Sequence, residues 1–212
     1  MFETGAYGTR MARYLRLPEP PLCTKLGSGQ CELAVTHLHA AIGYSEPASS
    51  IPAEKAFSIH LHLQPTSEGR LWLGGRLLPT INRLAGGVTI LDLEQDPVCF
   101  FPNPSEVLQF YVPRLSLEEF SYQNRLPVVE RLACPHGGAD AVLHHLGSTV
   151  LSMMRRSETA SKLFLDNLGP GSADACGACL WRKPALDFLR QGEARSMAGS
   201  PSERYSYGKH RR

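Results

Sequence analysis

Between residues 57 and 114 apolar and polar positions alternate in short runs separated by turn clusters, which predicts a meander of antiparallel strands. Phe57, Ile59, Leu61 and Leu63 alternate with Ser58, His60, His62 and Gln64, the pattern of a strand with one buried and one polar face. Pro65 to Gly69 turns the chain, and Arg70 to Leu78 forms the next extended run, where Gly74-Gly75 predicts a bulge or sharp bend. Val88 to Leu93, Val98 to Phe101 and Val107 to Val112 follow, each bounded by Gly, Pro, Asn or Asp. Strands at such spacing predict a small barrel or sandwich.

Residues 1–50 are weakly patterned. Pro18, Pro20 and Pro21 oppose a regular helix, while Glu32 to His39 fits a strand with Leu33 and Val35 inward, so this part is expected to be an arm joining the sheet. After residue 114 the period changes to about 3.6. Ser116 and Glu119 stand at capping-box spacing, with Leu115 and Phe120 as a staple, predicting a helix from Ser116 that ends before Pro127. A second helix is expected from an Asp140 N-cap to Arg155, with Val142, Leu143, Leu146, Val150, Met153 and Met154 as its apolar stripe. A third follows Ser157 and stops at Gly169-Pro170-Gly171. These stripes need a partner, either the outside of the barrel or the same helix of a second subunit. The resulting division is an arm (1–50), a β core (51–114), a helical segment (115–169) and a tail (170–212) without apolar periodicity, expected to be disordered.

Hydrophobic residues make up 42% of the 212 positions, enough for a substantial core. The net charge of +2 conceals an asymmetry, since the tail carries eight Lys and Arg against four Asp and Glu and the preceding residues stand at −2. That balance does not provide the basic face that phosphate neutralisation demands, so the first 169 residues are not expected to grip DNA. The six cysteines are scattered, no signal peptide precedes them, and no apolar run approaches the ~18 residues of a membrane helix, which together predict a soluble protein in a reducing cytoplasm.

Candidate chemistry is sparse. His60 and His62 point the same way on a strand and could share a metal, with Glu68 at a distance loosely like that of the cupin motif, although the gap is too long and a turn intervenes. The alternative is a pair of half-wet surface histidines, and His37 and His39 repeat the spacing in a weaker context. Cys176 and Cys179 form a CxxC lacking both the flanking elements of a redox site and the second pair of a zinc site. No phosphate-binding glycine loop or Gly-x-Ser-x-Gly elbow is present, so no enzyme, cofactor or bound metal is expected.

From about Tyr7 to Gly169 the chain resembles the N-terminal half of AraC/XylS-type transcription regulators. The likeness is carried by Phe57-Ser-Ile-His-Leu-His-Leu, Leu71-Trp-Leu-Gly-Gly-Arg, Gly87-Val-Thr-Ile-Leu-Asp-Leu, Leu108-Gln-Phe-Tyr-Val-Pro-Arg-Leu-Ser-Leu, Asp140-Ala-Val-Leu-His-His-Leu and Ala160-Ser-Lys-Leu-Phe-Leu-Asp-Asn-Leu-Gly-Pro. The resemblance implies a mainly β fold, a cupin-like or jelly-roll antiparallel barrel followed by a short helical dimerisation segment. It also implies a small-molecule effector, a homodimer, and DNA contact only through a C-terminal helix-turn-helix unit whose sequence is not recognised here. Residues from about 171 onward back-translate, one nucleotide later, into strings typical of that family's continuation, so the tail is expected to be an out-of-frame product. On this view the chain is a regulator's sensor half, with His60, His62, Gln64 and Trp72 the first candidates for ligand contact. A metal-dependent cupin enzyme using His60 and His62, and an inert or dominant-negative fragment that pairs through Val142, Leu143, Leu146, Val150 and Met153, are the alternatives.

Overall fold

A computed structural model describes residues 5–18, 20–26, 33–78, 82–129, 132 and 138–155. The expected third helix, the tail with its CxxC and the side chain of Val142 lie outside the described residues. The rest form nine strands and three helices: α1 (Gly8–Tyr14), β1 (Leu22–Leu26), β2 (Leu33–Ala40), β3 (Ala56–His62), β4 (Arg70–Leu73), β5 (Arg76–Leu77), β6 (Gly87–Asp92), β7 (Val98–Phe100), β8 (Ser105–Pro113), α2 (Arg114–Gln123), β9 (Gly138–Ala139) and α3 (Ala141–Met154). The architecture is mostly antiparallel sheet with a few helices, as the alternation predicts.

The strands do not run as a simple meander. A six-stranded sheet has the order β1-β2-β8-β3-β6-β9, and β5-β4-β7 form a second, three-stranded sheet. β3 therefore sits between β8 and β6, neither adjacent to it in sequence. Period-two patterning identifies strands but carries no information on which of them pair.

Both faces of the large sheet are covered. Phe57, Ile59 and Leu61 pack with Val35, Phe110 and Leu108 beneath Leu117 of α2 and Leu143 and Val150 of α3. On the opposite face Leu38, Ala56 and Leu91 meet Met11 and Leu15 from the α1 side and Leu71 and Cys99 of the small sheet. The stripe of α3 thus finds its partner within the chain, with Leu143 and Val150 buried and Leu146 and Met153 half-buried. All seven residues of β3 are buried. The polar face expected to be wet is instead the inside of a two-sheet barrel.

Three local expectations are corrected. Arg70 to Leu78 is a hairpin rather than one extended run, and of the bulge or sharp bend expected at Gly74-Gly75 it is the bend that forms: Gly74 (φ 55°) and Gly75 (φ 75°) make a two-residue loop, Leu73 pairs with Arg76 and Trp72 with Leu77. Positive φ at both positions is the twist-matched hairpin geometry that glycine adopts without strain. The α2 helix begins at Arg114, two residues before the predicted Ser116 cap, and its N-cap, Pro113, makes no side-chain bond. Arg114 bonds Asp92 Oδ2 at 2.9 Å, forms an ion pair with Glu94 Oε2 at 2.8 Å and lies 4.3 Å over the Phe57 ring, a cluster that fixes the helix start. Leu115 is exposed, so the staple does not form. Finally α1, unforeseen in the arm, packs Met11 and Ala12 into the interior. Asp140 caps α3 as predicted, its Oδ1 accepting from Leu143 N–H at 2.8 Å.

Candidate functional site

Strand register places a row of small and polar side chains across the inside of the large sheet. Cys23 pairs with Thr36, Thr36 with Gln109, Gln109 with His60 and His60 with Thr89. Neighbours across antiparallel strands share a face, so these residues share one side of the sheet. Thr36, Gln109, His60 and Thr89 are all buried, Thr36 and Gln109 completely, whereas Cys23 at the sheet edge is exposed.

Buried polar groups persist only when hydrogen-bonded, and most of this row is. Gln109 Nε2 donates to Ser58 Oγ at 2.8 Å and to the Ala6 carbonyl at 2.9 Å. Ser58 Oγ lies 2.8 Å from His60 Nε2, and His62 Nε2 lies 3.0 Å from Thr89 Oγ1. Thr36 Oγ1 accepts from Gly8 N–H at 2.9 Å. Glu54 completes the seal, accepting from Ala6 N–H at 2.8 Å and from the Tyr111 hydroxyl at 3.1 Å. The segment leading into α1 thereby closes one side of the interior.

Burial drives both histidines to the neutral state. His60 is pushed down to about 4 by burial, with a further contribution from the Arg83 cation. His62 is pushed down to about 3 by burial, then by His60 and Arg83. The Cys99 thiol is raised by burial to about 11, partly offset by Arg83, which keeps it a protonated, unreactive thiol.

A cavity of about 20 Å³ is bounded by Leu15, Leu38, Tyr44, His60, Phe101 and Ser105, room for roughly one water. Binding a larger molecule there requires wall side chains to move.

The sequence candidates separate. His60 and His62 both face the interior. Gln64 is exposed and donates to Glu106 Oε2 at 2.9 Å. Trp72 alternates with inward-facing Leu71 and is half-buried on the opposite face of the small sheet. His37, half-buried, lies 2.8 Å from Glu106 Oε1, which also pairs with Arg155 after α3 at 3.1 Å. Sequence reasoning missed Gln109, Thr36, Ser58 and Thr89, whose shared row exists only once β2, β8, β3 and β6 are ordered. It also missed Arg83, buried at an isolated bridge to Thr66.

The interior does not fit a catalytic divalent cation. The Nε2 atoms of both histidines are engaged by Ser58 and Thr89, and the cross-strand neighbours of His60 and His62 on β8 are Gln109 and Val107. Among the described residues no group of three His, Cys, Asp or Glu side chains converges, and the Arg83 cation stands nearby. Among the described residues no helix is long and apolar enough to cross a membrane.

No family model matches the chain, and no curated protein matches it. Seventeen solved chains do. An RmlC-like cupin protein from Desulfovibrio desulfuricans is 12% identical with a TM-score of 0.32, over 44% of this chain and 82% of that one. A cupin superfamily protein from Desulfitobacterium hafniense is 14% identical with a TM-score of 0.31, over 45% and 79%. A cupin 2 conserved barrel domain protein from Salinispora arenicola is 12% identical with a TM-score of 0.30, over 48% and 82%. These three solved structures are described as cupins.

Proposed function

We propose that the chain is the effector-binding and dimerisation domain of an AraC-type transcription regulator, taking a small molecule within the polar interior between its two sheets. The observation that carries this reading is the buried row Thr36, Gln109, His60 and Thr89. Apolar side chains would fill a purely structural interior at lower desolvation cost, whereas ligand sites combine an apolar lining with a few convergent polar groups. The sequence resemblance supports the regulator role, and the net negative balance of the first 169 residues is in keeping with DNA contact lying elsewhere. A homodimer belongs to the same reading, through whatever face of α3 the sheet leaves uncovered.

The test follows the imidazole resonances of His60 and His62 in isotopically labelled protein during titration with a panel of sugars, polyols, amino acids and small organic acids. Ligands are expected to shift both resonances and to raise the unfolding temperature. If every stabilising compound leaves the two resonances in place, or no compound of the panel binds at millimolar concentration, the interior is not an effector site.

A further inference from the structure

Among the described residues Arg83 is a buried cation that no carboxylate pairs with. It is 6% exposed, its Nη1 is shielded from solvent, and no hydrogen bond or ion pair to a described residue reaches the guanidinium. The ion pairs of the other described arginines engage Glu46, Asp92, Glu94 and Glu106. Arginine is almost never buried unpaired, because desolvating its charge costs several kcal/mol, about that much per ion even after relaxation. The Phe101 ring, 5.6 Å from Cζ, offsets part of this through its π face. A face contact does not satisfy the in-plane N–H groups, and Nη1 is buried without a hydrogen-bond partner.

The surroundings supply further unused groups. Thr66 lies directly opposite Arg83, with Thr66 N–H to Arg83 O at 2.8 Å and Arg83 N–H to Thr66 O at 2.9 Å, so the two side chains leave the pair on the same side. Thr66 Oγ1 is buried without a partner, and so is Nδ1 of His62, the last residue of β3, four residues back across a bend at 63–64. His62 Nε2 is taken by the Thr89 hydroxyl, so Nδ1 is a further unused polar atom, and it is a donor in the tautomer in which Thr89 donates to Nε2. A Cβ on Gly69 would run into Arg83 Nη1, so the absence of a side chain there is what lets the guanidinium lie against the backbone.

An unpartnered guanidinium nitrogen, the Thr66 hydroxyl opposite it and Nδ1 of His62, a ring that feels the Arg83 charge, together suit a monovalent, planar acceptor. We infer that Arg83, Thr66 and His62 form a subsite for the carboxylate of a small organic acid, held by the guanidinium fork. This rests on the reading that the interior takes a small molecule, and deepens it by naming the ligand class. Inorganic phosphate fits less well: it carries about −1.5 to −2, and no second cation among these groups balances the excess inside a low-dielectric interior.

The experiment titrates the full chain with acetate and propionate, their neutral isosteres acetamide and propionamide, and inorganic phosphate, at constant ionic strength. The readouts are the Arg83 guanidinium and His62 imidazole resonances. Acetate or propionate is expected to shift both and to bind at least tenfold more tightly than the matching amide. Arg83→Gln should lose that preference, and Thr66→Val, which preserves shape and charge, should weaken carboxylate binding about three- to tenfold. Folding of each variant is checked by the dispersion of the His60 resonance, and Thr66→Val carries the test if Arg83→Gln does not fold. The carboxylate subsite is overturned if phosphate binds in preference to the carboxylates, if no anion moves the Arg83 resonance, or if carboxylate binding survives both substitutions unchanged. A neutral compound that shifts His60 and His62 and binds Arg83→Gln as well as wild type overturns the subsite while leaving the interior as an effector site. Failure of every compound, charged or neutral, removes both.

Discussion

The two interior histidines make the fold acid-sensitive by an amount that follows from their burial. In the unfolded chain each titrates at its ordinary value of 6.5, whereas in the folded chain burial holds His60 at about 4 and His62 at about 3. The unfolded state therefore takes up protons over a range in which the folded state does not, and stability is lost as pH falls from about 6.5 toward those folded values. Above that window both states are neutral and the effect vanishes. One unit of differential titration is worth about 1.4 kcal/mol, so by pH 5 each histidine contributes a loss of about 2 kcal/mol and the pair about 4 kcal/mol. A domain at the lower end of the ordinary stability range of about 5–15 kcal/mol is brought close to unfolding by this alone. Urea denaturation between pH 8 and pH 5 measures it. Wild type is expected to lose about 4 kcal/mol over the interval and His60→Asn about 2 kcal/mol, with the exposed histidines cancelling in the difference. Equal slopes for wild type and His60→Asn would refute the claim that His60 is held neutral inside the barrel.

Two further predictions concern α3. Asp140→Ala removes the side chain that accepts from Leu143 N–H, and should lower the unfolding free energy by about 1 kcal/mol in urea titration. Gly147→Ala raises helix propensity, but its Cβ would strike Leu61 Cδ2 in the sheet below and approach Leu108 Cδ2 at 3.3 Å. Overpacking is expected to dominate, with a net loss of about 1 kcal/mol or more that Leu61→Ala partly relieves in a double-mutant cycle.

Strand positions and the Asp140 cap are written locally and were legible in the sequence. What alternation cannot distinguish is a polar face that meets water from one that meets other protein. Ser58, His60 and His62 look amphipathic in sequence, yet they lie under α1 and the small sheet. The α1 helix escaped notice because it is only seven residues long and is followed by prolines, so its stability comes from packing Met11 rather than from propensity. The capping box at Ser116 was a sound local signal overruled by a tertiary one, the anchoring of Arg114 on Asp92, Glu94 and Phe57. Arg83 carried no signal at all. Flanked by Asn82 and Leu84 in a turn-rich stretch, it resembles a surface charge, and its bridge to Thr66, seventeen positions earlier, is not written in the local sequence.

The order of strands in the large sheet also governs how the protein can be made. β2, at residues 33–40, has β8, at residues 105–113, as its inner neighbour, and Gln109 reaches back 103 positions to hold the Ala6 carbonyl. During synthesis the β1–β2 pair must therefore wait, one edge unpaired, until some seventy further residues have emerged. Contacts of such sequence separation close slowly, because loop entropy is lost before burial compensates. An arrested or truncated nascent chain lacking β8 would present the apolar edge of β2, with Val35 and Leu38, to other chains, so aggregation of the newborn protein is set by whether β8 arrives in time.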